Sequence, residues 1–497
     1  MLRTIRLTVA IVCFILITLL FLDFTGTLYT WFGWLAKIQF LPALLALNIG
    51  VLIFLILLTF LFGRIYCSII CPLGIFQDII SWIAGKKTKN RFRYSPAIKW
   101  LRYGILGIFI VSIIVGLHSV VALLAPYSSY GRIASSLIAP FWQWGNNLLA
   151  YFAERIDSYT FYETDMWLKS ISTFIIAIIT LGTLVILAWK NGRTYCNTIC
   201  PVGTILGFIS QYSIFKPVID TSKCNSCGLC ARNCKSSCID SRNHTIDYSR
   251  CVTCMDCIGK CKQGAIKYTR PIKKISFTEN NQVTTEQIND ARRTFLSIST
   301  MLAANTALRA QEKKVDGGLA IIEEKKIPQR ATSIIPPGAK NFRHFAQHCT
   351  ACQLCVSVCP NQVLRPSSKL QNFMQPEMSY ERGYCRPECA KCAEVCPTDA
   401  IHLSGLAEKS AIQIGHAVWI KENCVVLTDK VSCGNCARHC PTGAIQMVPL
   451  EQNSTDSLKI PIVNTERCIG CGACENLCPA RPFSAIYVEG HQMHRTV

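Results

Sequence analysis

The chain has 497 residues, half of them hydrophobic, with 30 cysteines and a formal net charge of +21. Its cysteines repeat as C-x2-C-x2-C-x3-C, a metal-ligand spacing that excludes a disulfide-rich secreted scaffold, and the absence of any C-x-x-C-H excludes covalent c-type haem. Much of the basic charge flanks apolar runs, where it signals topology, so nucleic acid is not an expected partner.

Apolar runs are confined to residues 1–220. Four uncharged stretches, 7–22, 38–63, 103–131 and 170–189, approach or exceed the roughly 20 residues that cross a bilayer. They predict an α-helical membrane domain of four transmembrane helices. Arg3 and Arg6 precede the first, and eight Lys and Arg residues lie between Arg64 and Arg102. Between the third and fourth, Arg132 and Arg155 are outweighed by Glu154, Asp157, Glu163 and Asp165. The positive-inside rule places the N-terminus, residues 64–102 and residue 190 onward in the cytoplasm. A bacterial inner membrane is the expected location. Residues 133–153 are also uncharged but hold Pro140, Gln143, Asn146 and Asn147 with Trp142 and Trp144. They read as a helix lying at the outer interface.

The membrane part contains a repeat. Residues 63–74 read GRIYCSIICPLG and residues 192–203 read GRTYCNTICPVG. Each closes a predicted span, which implies two similar hairpins. Cys67 and Cys71, like Cys196 and Cys200, are four residues apart and share a helix face. Two readings stay open: the four thiols converge on one further metal centre, or they pack beside helix ends. Tyr66, Tyr195, Arg64 and Arg193 flank them.

Residues 221–270 carry two regular runs, Cys224, Cys227, Cys230, Cys234 and Cys251, Cys254, Cys257, Cys261. In two-cluster ferredoxins the fourth cysteine serves the other cluster. That assigns Cys224, Cys227, Cys230 and Cys261 to one [4Fe–4S] cluster, and Cys251, Cys254, Cys257 and Cys234 to a second. Lys235 and Lys262 stand where proline usually follows the fourth cysteine, and Cys238 is supernumerary. Residues 271–339 read as a linker, basic and then proline-rich. Within it Arg292-Arg293 precedes a short uncharged run resembling a twin-arginine export signal.

Residues 340–490 hold sixteen cysteines in four groups, each ending in Cys-Pro. They are Cys349, Cys352, Cys355, Cys359; Cys385, Cys389, Cys392, Cys396; Cys424, Cys433, Cys436, Cys440; and Cys468, Cys471, Cys474, Cys478. Four more [4Fe–4S] clusters are expected, six in all, within α+β bacterial-type ferredoxin modules. Spacing does not fix which fourth cysteine serves which cluster. A cluster chain joined to a membrane domain points to a lipid-soluble redox partner, and quinol is the expected one. His118, near the outer end of the third predicted span, is the candidate proton acceptor.

Residues 1–270 resemble the NapH/MauN class of ferredoxin-type membrane proteins, through the two C-x3-C-P motifs and the two-cluster tail. Residues 290–490 resemble the NapG/MauM class, through the RRTFL segment and the four cluster motifs. The chain thus looks like a fusion of two partners. The resemblance implies a quinol dehydrogenase subunit that passes electrons from menaquinol or ubiquinol to a periplasmic reductase, nitrate reductase foremost, or to a cytochrome. It also implies that the C-terminal module is periplasmic. The rival expectations are a redox adaptor or maturation factor without quinol turnover, and a cytoplasmic carrier fed by a soluble ferredoxin.

Overall fold

The computed structural model describes residues 2–23, 25–87, 92–157, 161–164, 167–270, 323–451 and 457–496. Helices Leu2–Leu22 and Ile171–Asn191 have 21 residues each. At 1.5 Å per residue each is about 32 Å long, enough for a hydrocarbon core of about 30 Å.

The expectation of four such spans is corrected. Among the described residues, two helices are long and apolar enough to cross a membrane. The second expected span breaks into Phe40–Leu45 and Ile49–Phe62, because Asn48 caps the latter by accepting from Val51 N–H. The 14-residue helix reaches only about 21 Å. The third runs from Lys99 to Val115 and stops at Gly116, whose φ of 86° ends the helix. Short helices His118–Leu124 and Pro126–Ile133 follow, the second starting on a proline. Even so, these helices expose apolar side chains outward, including Val12, Ile53, Ile114 and Ile179. Helix Ala139–Glu154 shows Phe141, Trp142 and Trp144 in the same way. Exposed apolar surface on this scale marks an interaction surface rather than a water-facing one.

The repeat is visible in the backbone. Gly63 and Gly192 adopt φ values of 73° and 70°. Each is followed by a helical turn bearing the first cysteine, Tyr66–Ile69 or Tyr195–Ile199, and then by a proline-started helix, Pro72–Lys87 or Pro201–Ser210.

The cysteine-rich parts are small antiparallel ribbons and one-turn helices. Strand Lys216–Ile219 pairs with Ile266–Thr269, so the first module closes on residue 216 rather than 221. In the C-terminal part Ile412–Trp419 pairs with Ile486–Thr496, and Ile445–Pro449 with Lys459–Val463. Residues 323–339, expected as linker, belong to this module. Ile334 and Ile335 are buried, Met378 N–H donates to the Ile334 carbonyl, and Arg330 pairs with Glu475. The twin-arginine-like segment lies outside the described residues.

The two modules attach to opposite ends of the helices. The first meets the start of Leu2–Leu22 through Arg3–Asp256 at 2.7 Å, and the end of Ile171–Asn191 through Arg193 N–H to the Lys235 carbonyl at 2.8 Å. The C-terminal module meets the other end. Lys391 donates to the Thr25 carbonyl at 2.7 Å, and Lys169 to the Val356 carbonyl at 3.0 Å. Gly131 lies so close to the Cys352 carbonyl that a Cβ would overlap it.

A buried charge network secures the first attachment. Asp78 pairs with Arg193 at 2.8 Å, Arg6 at 3.2 Å and Lys235 at 3.6 Å, and Lys235 pairs with Asp256 at 2.9 Å. Lys235 thus stands in place of proline because its ammonium joins the module to the helices. Removing one partner from such a network strands the others. Asp78→Asn is expected to destabilise the protein by about 3 kcal/mol, read as a lower thermal midpoint in detergent, with Asp78→Glu closer to wild type.

Candidate metal centres

Each regular cysteine run bends its backbone in one way. The residues before and after the second cysteine take left-handed φ: Ser226 and Gly228, Thr253 and Met255, Ala351 and Gln353, Gly470 and Gly472. Seven of these eight values lie between 52° and 77° inclusive, and five of the eight residues are not glycine, so the chain holds a costly conformation. What it gains is a concave row of N–H groups, an anion-binding nest. One of these donors reaches sulfur, Ala351 N–H to Cys349 at 3.4 Å, and after a fourth cysteine Ala265 N–H reaches Cys261 at 3.3 Å.

The thiols gather across runs. Cys234, Cys251, Cys254 and Cys257 line one cavity of about 390 Å³. Cys359, Cys385, Cys389 and Cys392 line another of about 400 Å³, and Cys424, Cys433, Cys436 and Cys478 a third of about 380 Å³. Cys349 and Cys355 have Cys396 as a neighbour. Cys468 and Cys471 have Cys440. Within 349–396 and within 424–478, the fourth cysteine of each run therefore lies beside the earlier cysteines of the other run. Cys230 neighbours Cys224 and Cys227. Cys238 shares the first cavity, 3.5 Å from Cys234.

These sites suit a cluster better than a single ion. Among the described residues no three His, Cys, Asp or Glu side chains close in as one metal ion requires. A four-thiolate zinc site holds its sulfurs about 2.3 Å from one atom, whereas a cluster spreads them around a larger core. Burial and the neighbours Cys352, Cys349 and Cys396 hold Cys355 well above the ordinary thiol value. Four thiolates share such a pocket only around a positively charged metal core.

The membrane repeat brings its cysteines together as well. Cys67, Cys71, Cys196 and Cys200 are each 4 % exposed or less. Cys200 has Cys196, Cys71 and Cys67 as electrostatic neighbours. The flanking arginines are exchanged: Arg64 donates to the Cys196 carbonyl at 3.0 Å, and Arg193 to the Cys67 carbonyl at 2.5 Å. Gly74 and Gly203 have no room for a Cβ, which would strike those same two carbonyls.

His118 lies on the helix that packs against the Cys349–Cys352 loop, Ala122 of that helix meeting Ala351. The histidine starts that helix, its Nε2 is buried without a partner, and it lies near His348. Gln77, Asp78 and Asn197 were not singled out by motif reasoning. Their signal is position alone, since they follow the repeat's cysteines. A larger cavity, of about 1090 Å³ of free space, was also beyond sequence reading because its walls come from distant segments.

The nest geometry predicts unequal glycine substitutions. Gly472 has φ 81°, and a Cβ there would overlap the Tyr380 ring. Gly264 has φ 62° with open space around it. Gly264→Ala is expected to cost about 1 kcal/mol from φ alone. Gly472→Ala should cost more and also lower the iron content, both read on the purified protein.

Comparison with known proteins agrees with this chemistry. A family model described as a 4Fe-4S binding domain matches residues 44–91 and 173–219, the two membrane repeats. One described as a 4Fe-4S dicluster domain matches residues 348–400 and 431–481. The methylamine utilization ferredoxin-type protein MauM of Methylobacillus flagellatus is 32% identical over 169 residues, 32% of this chain and 70% of its own. The ferredoxin-type protein NapG of Escherichia coli is 30% identical over 176 residues, 33% of this chain and 75% of its own. The ferredoxin-type protein NapF of the same organism is 26% identical over 181 residues, 36% of this chain and 99% of its own. No solved structure matches. By these likenesses, carried over about a third of its length, the chain belongs to the ferredoxin-type iron–sulfur proteins that include MauM and NapG.

Proposed function

We propose that the chain is a membrane-bound quinol dehydrogenase subunit, a fusion of a NapH/MauN-type membrane protein with a NapG/MauM-type ferredoxin. Its first module faces the cytoplasm and its C-terminal module the periplasm, where a reductase or cytochrome takes the electrons. Six [4Fe–4S] clusters are assigned to it. In the first module the ligand sets are Cys224, Cys227, Cys230, Cys261 and Cys251, Cys254, Cys257, Cys234. In the second they are Cys349, Cys352, Cys355, Cys396; Cys385, Cys389, Cys392, Cys359; Cys424, Cys433, Cys436, Cys478; and Cys468, Cys471, Cys474, Cys440. Such clusters, when bound, take up and release single electrons.

The observation that carries the quinol reading is the large cavity between helix Ala139–Glu154, the loop around residue 163 and the C-terminal module. Gln143, Tyr162, Glu163, Trp167 and Lys169 form one side, and Val356, Cys359 and Pro360 the other. A cysteine thiol therefore borders a space walled on one side by Gln143, on the helix whose Trp142 and Trp144 are exposed, residues suited to the membrane interface. A quinol ring entering from lipid meets an amide at Gln143 and an ammonium at Lys169. Burial lowers that ammonium to about 8, close to neutral. Oxidation releases two electrons and two protons. Glu163, exposed at the mouth, receives the protons and passes them to water on the outer side. At this cavity the acceptor proposed is Glu163; His118, the acceptor expected from sequence, is not among its lining residues.

Anaerobic mixing of cluster-loaded protein with menaquinol should bleach the iron–sulfur absorbance. Glu163→Gln should slow that reaction by about 100-fold, and His118→Ala should leave it near wild type. Wild-type protein that menaquinol fails to reduce would remove the dehydrogenase reading in favour of an adaptor role.

A further inference from the structure

We infer that Cys67, Cys71, Cys196 and Cys200 hold one iron–sulfur cluster shared between the two repeats, and that this centre is the electrical junction between the two cysteine-rich modules. The family matches cover each repeat separately. Each repeat brings only two thiols, and the four are mutual neighbours. One centre is therefore built from both halves.

All four sulfurs are provided with donors, and the pattern repeats. The first cysteine of each pair faces a side chain: Arg64 lies 3.8 Å from Cys67 Sγ, and Gln77 Nε2 donates to Cys196 Sγ at 3.2 Å. The second of each pair accepts a glycine N–H from the start of the following helix, Gly74 for Cys71 and Gly203 for Cys200, the latter at 3.3 Å. Two fully buried guanidiniums, Arg64 and Arg193, add positive charge beside the thiols. Soft thiolate ligands suit a cationic iron–sulfur core, and the surplus of donors suits the net negative charge of the ligated cluster.

The position of the site makes it a junction. Towards the first module, Arg64 donates to the Ser249 carbonyl at 3.2 Å, two residues before Cys251. Asn197 donates to the Ser236 carbonyl at 3.4 Å, two residues after Cys234. Towards the C-terminal module, Tyr66 neighbours Cys67, Cys71 and Cys200, while Tyr127 neighbours both Tyr66 and Cys352. One buried core contains Cys67, Cys71, Cys200, Tyr66, Tyr127, Cys352, Cys355 and Cys396. This placement does not depend on quinol being the electron donor.

The test is metal content and electron passage in the full-length protein. Cys71→Ser and Cys200→Ser should each lose about four iron atoms per chain, and the double variant should lose no more than either. Two independent sites would give additive losses, and an unchanged iron content with one zinc per chain would exclude a cluster. Either result overturns the inference. In proteoliposomes, dithionite added outside should reduce the clusters of both modules in wild type. In Cys71→Ser it should reduce only those of the outward-facing module. Full reduction in the variant would refute the junction. Because serine variants risk misfolding, Gln77→Leu supplies a second arm that keeps every thiol. It should retain the iron and shift one reduction wave to lower potential, and an unmoved set of waves would refute the assigned donor.

Discussion

A thiolate in a low-dielectric interior is stable only when a positive charge or a hydrogen-bond donor faces it. Much of this molecule follows from meeting that requirement repeatedly. In the regular cysteine runs the answer is backbone: left-handed residues around the second cysteine turn N–H groups inward. In the repeat around Cys67 and Cys196 it is buried arginine. Arginine in turn needs partners, and Asp78, Asn197 and the Ser249 carbonyl provide them. Asp78 draws in Lys235, and Lys235 draws in Asp256. The docking of the first module is thus the outer end of a chain of charge compensation that begins at the membrane thiols.

The two repeats are alike at the cysteines and differ where orientation is decided. Gln77 and Asp78 in the first repeat correspond to Leu206 and Gly207 in the second. Asp78 receives Arg193. Gly207 leaves the space that Arg102 occupies, and a Cβ there would collide with its guanidinium. Arg102 then donates to the Ser249 hydroxyl and carbonyl, each at 3.0 Å. A symmetric pair of hairpins would offer the first module two equivalent seats. One acid and one glycine leave a single seat.

The thiol inventory and the repeat were legible because they rest on short-range spacing. Cluster partners within 340–490 were not, since exchange of the fourth cysteine depends on how two loops face each other. Hydropathy measured the charge-free length of runs 38–63 and 103–131 but was blind to the breaks inside them. Asn48 caps one helix and Gly116 ends another, and neither interrupts an apolar window. Residues 323–339 read as linker from their prolines and charges, yet Ile334 and Ile335 are among the most buried side chains of the module. The cavity beside Cys359 had no local signal, because Gln143, Glu163, Lys169 and Cys359 meet only after folding.

The contacts that fix the C-terminal module to the helices come from its first half. Cys352 abuts Gly131, Val356 receives Lys169, Arg382 lies 4.7 Å over Trp167, and Lys391 reaches Thr25. The second half, residues 412–496, builds on the first through Tyr380, whose hydroxyl donates to the Gly470 carbonyl at 2.7 Å, and through Cys385 N–H to the Cys471 carbonyl at 2.9 Å. This order has a physical consequence. The first half must pack tightly because it shares one dry core with the helices, where a gap would lose dispersion contacts. The second half enters that core only through Ile414 and Val488 among its buried residues, and the rest of it gathers into a separate core around Cys424 and Cys468. Residues 271–322 join a module at one end of the helices to a module at the other. The C-terminal module is held at its end by its contacts with Gly131, Lys169 and Thr25.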